Sequence, residues 1–171
     1  VKVPIWPFHT WLPDAHTEAP TGGSMILAGV LLKLGAFGFI RLVLPLFPAE
    51  SARFSGWLAL LATLSIIFGA FSATAQKDFK RLVAYSSINH MGFVILGIAA
   101  AAWAGGQQDP ELNKSAVIAL NGAVLQMFNH GISAAGMFFL VGVIYERTHT
   151  RDLQAYGGLW RALAGALVGG L

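Results

Sequence analysis

Four long apolar runs separated by short polar stretches dominate the pattern of this chain. They cover approximately residues 22–46, 54–76, 82–104 and 116–146, and a further apolar run starts from 158. Because a membrane-crossing α-helix needs about 20 apolar residues, each complete run predicts one transmembrane helix. The last complete run exceeds one straight crossing, so we expect that helix to be tilted, kinked near Asn129–Gly131 or extended past the interface. The predicted fold class is an all-α polytopic membrane protein, with residues 1–171 in one membrane domain.

The segment before the first run is rich in proline and polar residues. Pro4 and Pro7 follow Lys2 closely, and two prolines so near each other break or kink a helix. A broken helix at membrane depth is tolerated only where it is buried in protein or lines a water cavity. An ordinary loop entering the membrane fits the same residues. Residues 9–23 are predicted to form a loop, because Pro13 interrupts any helical register.

Composition supports a membrane location and removes several kinds of site. Of the 171 residues, 56% are hydrophobic and 11% are charged, whereas soluble domains carry about 25% charged residues. The sequence contains no cysteine, which excludes disulfides, thiolate zinc sites and cysteine-ligated iron–sulfur clusters. The loop between 9 and 23 contains histidine and acidic residues without metal-ligand spacing, so no metal site is expected. Since the chain begins in mid-motif and ends in an apolar run too short to span, we interpret it as an internal piece of a longer protein.

Lys33 lies near the middle of the first run. A lysine at the centre of a transmembrane helix costs roughly 2.5–3.5 kcal/mol on insertion scales, so an apolar residue would insert more easily. This position indicates a protonatable group that faces other helices or an internal water path. Gly29 and Ala36 fall on the same helical face, and such small residues let a neighbouring helix or water approach the ammonium closely.

Two histidines lie within later runs. His90 shares a face with Ser86 and Asn89, which could hydrogen-bond it, and a structural role fits this position as well as a relay role does. In the fourth run a polar stripe at i, i+3, i+4 and i+7 is centred on the second histidine and consists of Gln126, Asn129, His130 and Ser133. Polar groups on one face of a membrane helix must meet water or other polar side chains. The stripe therefore predicts an internal polar contact.

The distribution of loop charges predicts the orientation in the membrane. The predicted loops on one side carry Lys77, Lys80, Arg81, Arg147, Arg151 and Arg161, and the loops on the other side carry Arg53 and Lys114. Cytoplasmic loops carry an excess of lysine and arginine, so the first group is expected in the cytoplasm. Residues 9–23 fall on that same side.

The chemistry available to these residues is proton transfer. Lys33, His90 and His130 lie near the middle of three different runs, and histidine titrates near neutral pH. Such groups, joined by polar side chains and water, can pass protons laterally. The sequence shows no nucleophile–base arrangement, phosphate loop or cofactor fingerprint. It therefore favours transport over covalent catalysis.

Four stretches carry a resemblance to a known family. They read HTWLPDAHTEAPTGGSMILAGVLLKLGAFG, QKDFKRLVAYSSINHMGF, FNHG and YERTHTRDLQAYGGLW, and they resemble the antiporter-like, proton-pumping subunits of respiratory complex I. The resemblance implies a fold of fourteen transmembrane helices with inverted five-helix repeats, of which this chain would cover about helix 7 to the start of helix 12. It also implies a bacterial inner-membrane location.

The resemblance further implies roles for individual residues. Lys2 matches the central lysine of helix 7 and Lys33 the bridging lysine of helix 8, while His90 and His130 match histidines of the proton relay. The glutamate of helix 5 and the ionisable residue of helix 12 would lie outside this chain. The expected partners are other membrane subunits of complex I, including neighbouring antiporter-like subunits, and the lipid bilayer, with no nucleic acid. No cofactor is expected in this chain, because NADH, FMN, iron–sulfur clusters and quinone belong to other subunits.

Other functions fit the same residues. The pump core is shared with multisubunit cation/proton antiporters, membrane-bound hydrogenases and photosynthetic complex I-like enzymes, so these remain alternatives. A structural membrane scaffold, in which the buried polar groups only lock helices together, is a second alternative. The sequence does not distinguish protons from sodium as the transported ion.

Overall fold

The computed structural model describes residues 2–107 and 109–157, and in these ranges the chain is helical with short connections. A short helix, α1 (Trp11–Glu18), precedes four helices long and apolar enough to cross a membrane. These are α2 (Thr21–Leu46), α3 (Pro48–Thr74), α4 (Phe79–Gly105) and α5 (Pro110–Thr148). The predicted all-α polytopic membrane class is confirmed. The predicted run starting from 158 lies outside the described residues.

Three of the long helices, α3, α4 and α5, begin before the predicted apolar runs, because proline or a capping aspartate at their N-termini favours the start of a helix. Pro48 and Pro110 each open a helix, at a position where proline's missing N–H has no partner to lose. Asp78 caps α4 by accepting hydrogen bonds from the backbone N–H groups of Lys80 at 2.8 Å and Arg81 at 3.1 Å. Helix α5 runs without interruption for 39 residues, about 58 Å at 1.5 Å per residue. It therefore extends past a hydrocarbon core of about 30 Å.

The expectation of a loop throughout residues 9–23 is wrong. Helix α1 occupies Trp11–Glu18 and α2 begins at Thr21. Pro13 lies in the first turn of α1, where the backbone N–H has no intrahelical acceptor, so proline is tolerated there. Leu12, Pro13 and His16 are buried, which shows that α1 packs into the bundle.

Helix α4 is the centre of the bundle, and it packs against α1, α3 and α5. Close approach to α3 depends on glycine. A Cβ on Gly69 would lie 2.8 Å from the backbone nitrogen of Asn89, and one on Gly92 would lie 3.0 Å from the carbonyl oxygen of Ala62. Around these contacts the buried residues Leu32, Ile88, Met91 and Ile95 belong to the larger of two apolar clusters. The smaller cluster joins α2, α4 and α5 and includes Ala28, Val83 and Phe138.

The polar ends of several elements meet at one end of the bundle. The backbone N–H of Phe79 donates to the Arg151 carbonyl at 2.8 Å, and that of Leu153 donates to the Lys77 carbonyl at 2.9 Å. The Arg151 guanidinium lies 3.3 Å from the Asp78 carboxylate and donates to the Thr17 carbonyl at 3.1 Å. The α1 segment, the turn before α4 and the segment after α5 therefore lie on the same side.

Candidate functional site

Lys33 and His130 are in direct contact. The Lys33 Nζ lies 2.9 Å from the His130 Nδ1, and it also donates to the Ala28 carbonyl in the preceding turns of its own helix. His130 is only 3% exposed, and Lys33 is half-buried. The two predicted site residues, 97 positions apart in the sequence, are brought together by the packing of α2 against α5.

The hydrogen bonds of His130 determine its tautomer. An ammonium group can only donate, so His130 Nδ1 is the acceptor when Lys33 is charged, and the ring proton lies on Nε2. That Nε2 is 3.1 Å from the Ser87 hydroxyl oxygen, which accepts from it. The Ser87 hydroxyl donates in turn to the Val83 carbonyl at 3.3 Å. Both ring nitrogens of His130 thus have partners within the protein.

His90 extends this group of residues toward the surface of the bundle. Its ring centroid is 5.2 Å from that of His130, with the planes inclined by 30°. The Gln126 amide nitrogen lies 3.0 Å from the His90 Nδ1, and because this nitrogen only donates, Nδ1 accepts and Nε2 carries the proton. His90 is exposed and lines a groove with Gln126, Gly97 and Ala123.

Glycine lets α2 and α5 approach closely enough for the lysine–histidine contact. A Cβ on Gly131 would lie 3.0 Å from the Gly29 carbonyl oxygen and 3.7 Å from the Lys33 Cε. The close approach predicted around Gly29 is therefore made against Gly131. Two π-helical turns, Leu27–Leu31 and Phe39–Val43, bracket Lys33. Such turns recur at functional sites, and the sequence pattern did not reveal them.

The polar residues expected to support the site do not all reach it. Asn89 donates to the Ile66 carbonyl at 2.7 Å, which joins α4 to α3, and Ser86 donates to the Val83 carbonyl at 2.7 Å. Within the described residues, the side chain that bonds His90 is therefore Gln126, and not Ser86 or Asn89, whose positions would also have allowed such a bond. In the stripe on α5, Asn129 and Ser133 are exposed on the described part of the chain. Ser133 makes only a long hydrogen bond, 3.5 Å, to the His130 carbonyl.

Lys2 lies beside α2 without joining the lysine–histidine contact. Its segment packs on Gly35, where a Cβ would come within 3.1 Å of the Lys2 Cβ. Gly35 is two residues from Lys33, so the Lys2 segment packs against α2 at the level of Lys33 but on a different side of the helix. The Lys2 side chain is exposed on the described part of the chain.

Two buried polar residues near the site were missed by the sequence analysis. Ser87 is fully buried and binds His130, but a helical wheel alone does not say whether Ser86 or Ser87 faces α5. His16 is also fully buried, and its ring stacks on Phe138 with centroids 4.3 Å apart. Burial, reinforced by the charges of Lys80 and Lys33, lowers the pKa of His16 to about 4. Among the described residues, no three histidine or acidic side chains are placed to hold a metal ion.

Comparison with known proteins identifies the family. The family described as NADH:quinone oxidoreductase/Mrp antiporter, TM matches residues 1–164. NADH-quinone oxidoreductase subunit M of Pseudomonas aeruginosa is 52% identical over 160 residues, covering 94% of this chain and 29% of the relative. Subunit M of Escherichia coli K12 is 51% identical over 160 residues, with the same two coverages of 94% and 29%.

A solved structure shows the same arrangement of helices. A chain of the respiratory complex I from Thermus thermophilus with bound NADH superposes with a TM-score of 0.76 at 36% sequence identity, covering 92% of this chain and 31% of that chain. The present chain thus spans less than a third of the length of the curated relatives it matches, 29% in both cases. The resemblance drawn from the sequence is confirmed, and the chain belongs to the NADH:quinone oxidoreductase/Mrp antiporter transmembrane family.

Proposed function

We propose that this chain is part of an antiporter-like subunit of NADH:quinone oxidoreductase in the bacterial inner membrane, and that Lys33 and His130 pass protons within it. The observation that carries the proposal is the 2.9 Å contact between the Lys33 Nζ and the His130 Nδ1. An ammonium placed within apolar helices next to an imidazole acceptor has a ready route for giving up its proton. An arrangement built only to hold helices together does not need two titratable groups in contact.

Only one of the two side chains, Lys33 or His130, carries a positive charge at a time. Two positive charges at this separation repel by roughly 6 kcal/mol at an effective dielectric constant of about 20. Transfer from Lys33 to His130 Nδ1 leaves a neutral amine and an imidazolium, and the positive charge moves from α2 to α5. The imidazolium can then release the proton on Nε2, which the Ser87 hydroxyl oxygen contacts at 3.1 Å. The pair is then neutral, and its starting charge is restored only when Lys33 takes up another proton, so each cycle relays one proton.

In the proposed proton path, Lys2 comes before the Lys33–His130 pair and His90 comes after it. The His90 ring is close to that of His130, with centroids 5.2 Å apart, and a bridging water or a ring rotation would carry the proton between them. His90 would pass it on toward a residue outside this chain. Lys2, whose segment packs against α2 near Lys33, would act as the proton store whose charge the rest of the subunit controls.

In this proposal, electron transfer takes place in other subunits of the complex. The oxidation of NADH and the reduction of quinone, with FMN and iron–sulfur clusters, would take place in other subunits, and this chain would couple to them through neighbouring membrane subunits. A subunit of a multisubunit cation/proton antiporter is the alternative that the family description includes. The relatives named NADH-quinone oxidoreductase subunit M favour the respiratory enzyme.

The test is proton pumping by the assembled complex that carries Lys33→Ala. In inverted membrane vesicles, the number of protons taken up per NADH oxidised is expected to fall, because the acceptor His130 loses its donor. The amount of assembled complex is expected to stay near normal, since Lys33 contributes little to the apolar packing. Lys114→Ala is the matched control, because Lys114 is exposed and, among the described residues, pairs only with Glu111 at the surface, at 2.7 Å.

Unchanged proton uptake per NADH in the Lys33→Ala complex would reject the role of the lysine. A scaffold role would give a different result, in which less complex assembles while each assembled complex pumps normally.

A further inference from the structure

We propose that His16 carries protons between the Lys33–His130 pair and the polar end of the bundle, where Lys80, Thr17 and Arg151 lie. This inference rests on the proposed function and assigns it a further residue. It starts from the ring nitrogens of His16. Both are buried and have no hydrogen-bond partner among the described residues, although the side chain is 0% exposed.

Unpaired buried nitrogens are costly. A buried donor or acceptor left without a partner costs about 1–3 kcal/mol, and an apolar or aromatic side chain in the same place would avoid that cost. Such groups in native proteins are usually satisfied by ordered water. A histidine that packs well enough to stack on Phe138 yet keeps both nitrogens available is therefore suited to exchange protons with water.

The position of His16 on three packed helices places it between the site and the polar end. On α5, its stacking partner Phe138 lies two turns, about 12 Å, beyond His130 on the same buried face. On α4, Lys80 and Ser87 are buried two turns apart. Ser87 contacts His130, while the Lys80 Nζ donates to the Ala19 carbonyl, at 2.6 Å, in the segment just after His16.

Helix α2 shows the same order of polar end, His16 and Lys33–His130 pair. On α2, the Ser24 hydroxyl donates to the His16 carbonyl at 3.1 Å, and Ala28, one turn further along, accepts from Lys33. Each of the three helices therefore leads from the polar end, past His16, to the lysine–histidine pair.

Space for water lies at the polar end of the bundle, next to the turn of α1 that contains His16. A cavity of about 280 Å³ is lined there by Thr17, Thr21, Lys80, Gly142 and Arg151, among others. A buried water needs polar partners and roughly 30 Å³ of liquid volume, and this cavity offers both. His16 itself does not line this cavity, but Thr17, the residue that follows it in α1, does, so the cavity lies on the polar-end side of the histidine.

The transfer balances without any further reactant. The charged groups nearest to His16, Lys80 and Lys33, are cations and favour its neutral form, which has one N–H and one free lone pair. A proton arriving at the free nitrogen forms an imidazolium, and the proton on the opposite nitrogen then leaves. One proton crosses, the ring is neutral again in the other tautomer, and rotation of the ring restores the first arrangement without carrying the proton back.

The test compares His16→Phe with Lys33→Ala and Leu12→Ala in the assembled complex in inverted vesicles. Phenylalanine keeps the stacking on Phe138 but has no nitrogen. Leu12 is buried one turn earlier on the same face of α1, so Leu12→Ala reports the effect of lost packing alone. We expect His16→Phe to lower the protons taken up per NADH as much as Lys33→Ala does, and Leu12→Ala to leave this ratio unchanged.

Each outcome separates this inference from the proposed function. If Lys33→Ala lowers the ratio and His16→Phe does not, the role of His16 is overturned and the proposed function stands. If neither lowers it, the proposed function itself fails. Should His16→Phe not assemble, His16→Ala is measured with added imidazole or benzene: recovery with imidazole alone supports proton transfer through the ring, and equal recovery or no recovery with both overturns it.

Discussion

At the scale of residues, hydrogen-bond partners separate the polar groups of this chain into two kinds. Lys33 and His130 satisfy each other, and Ser87 and the Ala28 carbonyl complete their bonds. His16 is as deeply buried but has no partner at either nitrogen among the described residues. Lys33 and His130 can share a proton within their hydrogen bond. The His16 ring has no such partner among the described residues, so its neutral form is the stable one in the buried position.

The titration of His16 makes stability depend on pH. Its pKa is about 4 in the folded chain, against 6.5 as the ordinary value, so the unfolded chain binds more protons between these two pH values. The free energy of unfolding therefore rises with pH across this window. The part that depends on His16 is fully present above about pH 6.5 and is lost as the pH falls toward 4. This lowering of the pKa, from 6.5 to about 4, corresponds to about 3 kcal/mol in the free energy of unfolding.

The measurement is the melting temperature of the full-length subunit in detergent between pH 4 and pH 7.5. The wild type is expected to lose more stability on acidification than His16→Phe, because only the wild type must bury a titrating ring. Parallel curves for the two proteins would contradict the buried neutral state of His16.

The sequence could identify individual residues of the site but not their pairing. Lys33 and His130 were recognisable because charged and polar side chains are expensive within apolar runs. Ser87 was not, because Ser86 and Ser87 are adjacent and only the packing of α4 against α5 decides which one faces His130. His16 was hidden for a different reason. Its helix is short and has Pro13 in its first turn, so its apolar positions give no long periodic signal.

At the scale of elements, the site depends on how closely α2 and α5 approach each other. Gly29 and Gly131 bring their backbones together beside the lysine–histidine contact. Small residues beside Lys33 predicted a close neighbour, but the sequence could not say which helix it was. The two π-helical turns of α2 were also unpredicted, because an extra residue in a turn changes the register without requiring a particular residue type.

Gly131→Ala tests this approach. Its Cβ would lie 3.0 Å from the Gly29 carbonyl oxygen, and since backbone atoms cannot swing aside, the helices must separate by a few tenths of an ångström. We expect a loss of stability of about 1–3 kcal/mol, typical of overpacking, and fewer protons pumped per NADH as the Lys33–His130 contact lengthens.

Gly136→Ala is the matched control on the same helix. A Cβ at Gly136 meets nothing within 4 Å, so this change should be neutral or raise helix stability by up to about 1 kcal/mol. Thermal unfolding in detergent and proton uptake in vesicles measure both effects. Equal behaviour of the two variants would show that the approach of α2 to α5 is not tight.

At the scale of the whole molecule, the described chain is a helical bundle in which His130 is buried while Lys33 and His90 reach surface grooves. Lys33 lines a groove between α2 and α5 together with Gly29, Val30 and Phe128, and His90 lines a second groove. The number and type of helices followed from the length of the apolar runs. The length of the runs did not show which polar face points inward: Gln126 and Asn129 belong to one stripe, yet of these two only Gln126 bonds to another helix within the described ranges.

The most direct test of the central claim combines the two residues that the structure brings into contact. Protons taken up per NADH oxidised are measured for complexes carrying Lys33→Ala, His130→Leu and both changes together. Residues that act in one proton path should not have additive effects, so the double variant is expected to lose no more than either single variant, at near-normal assembly. An unchanged ratio in all three complexes, with less complex assembled, would contradict proton transfer between Lys33 and His130.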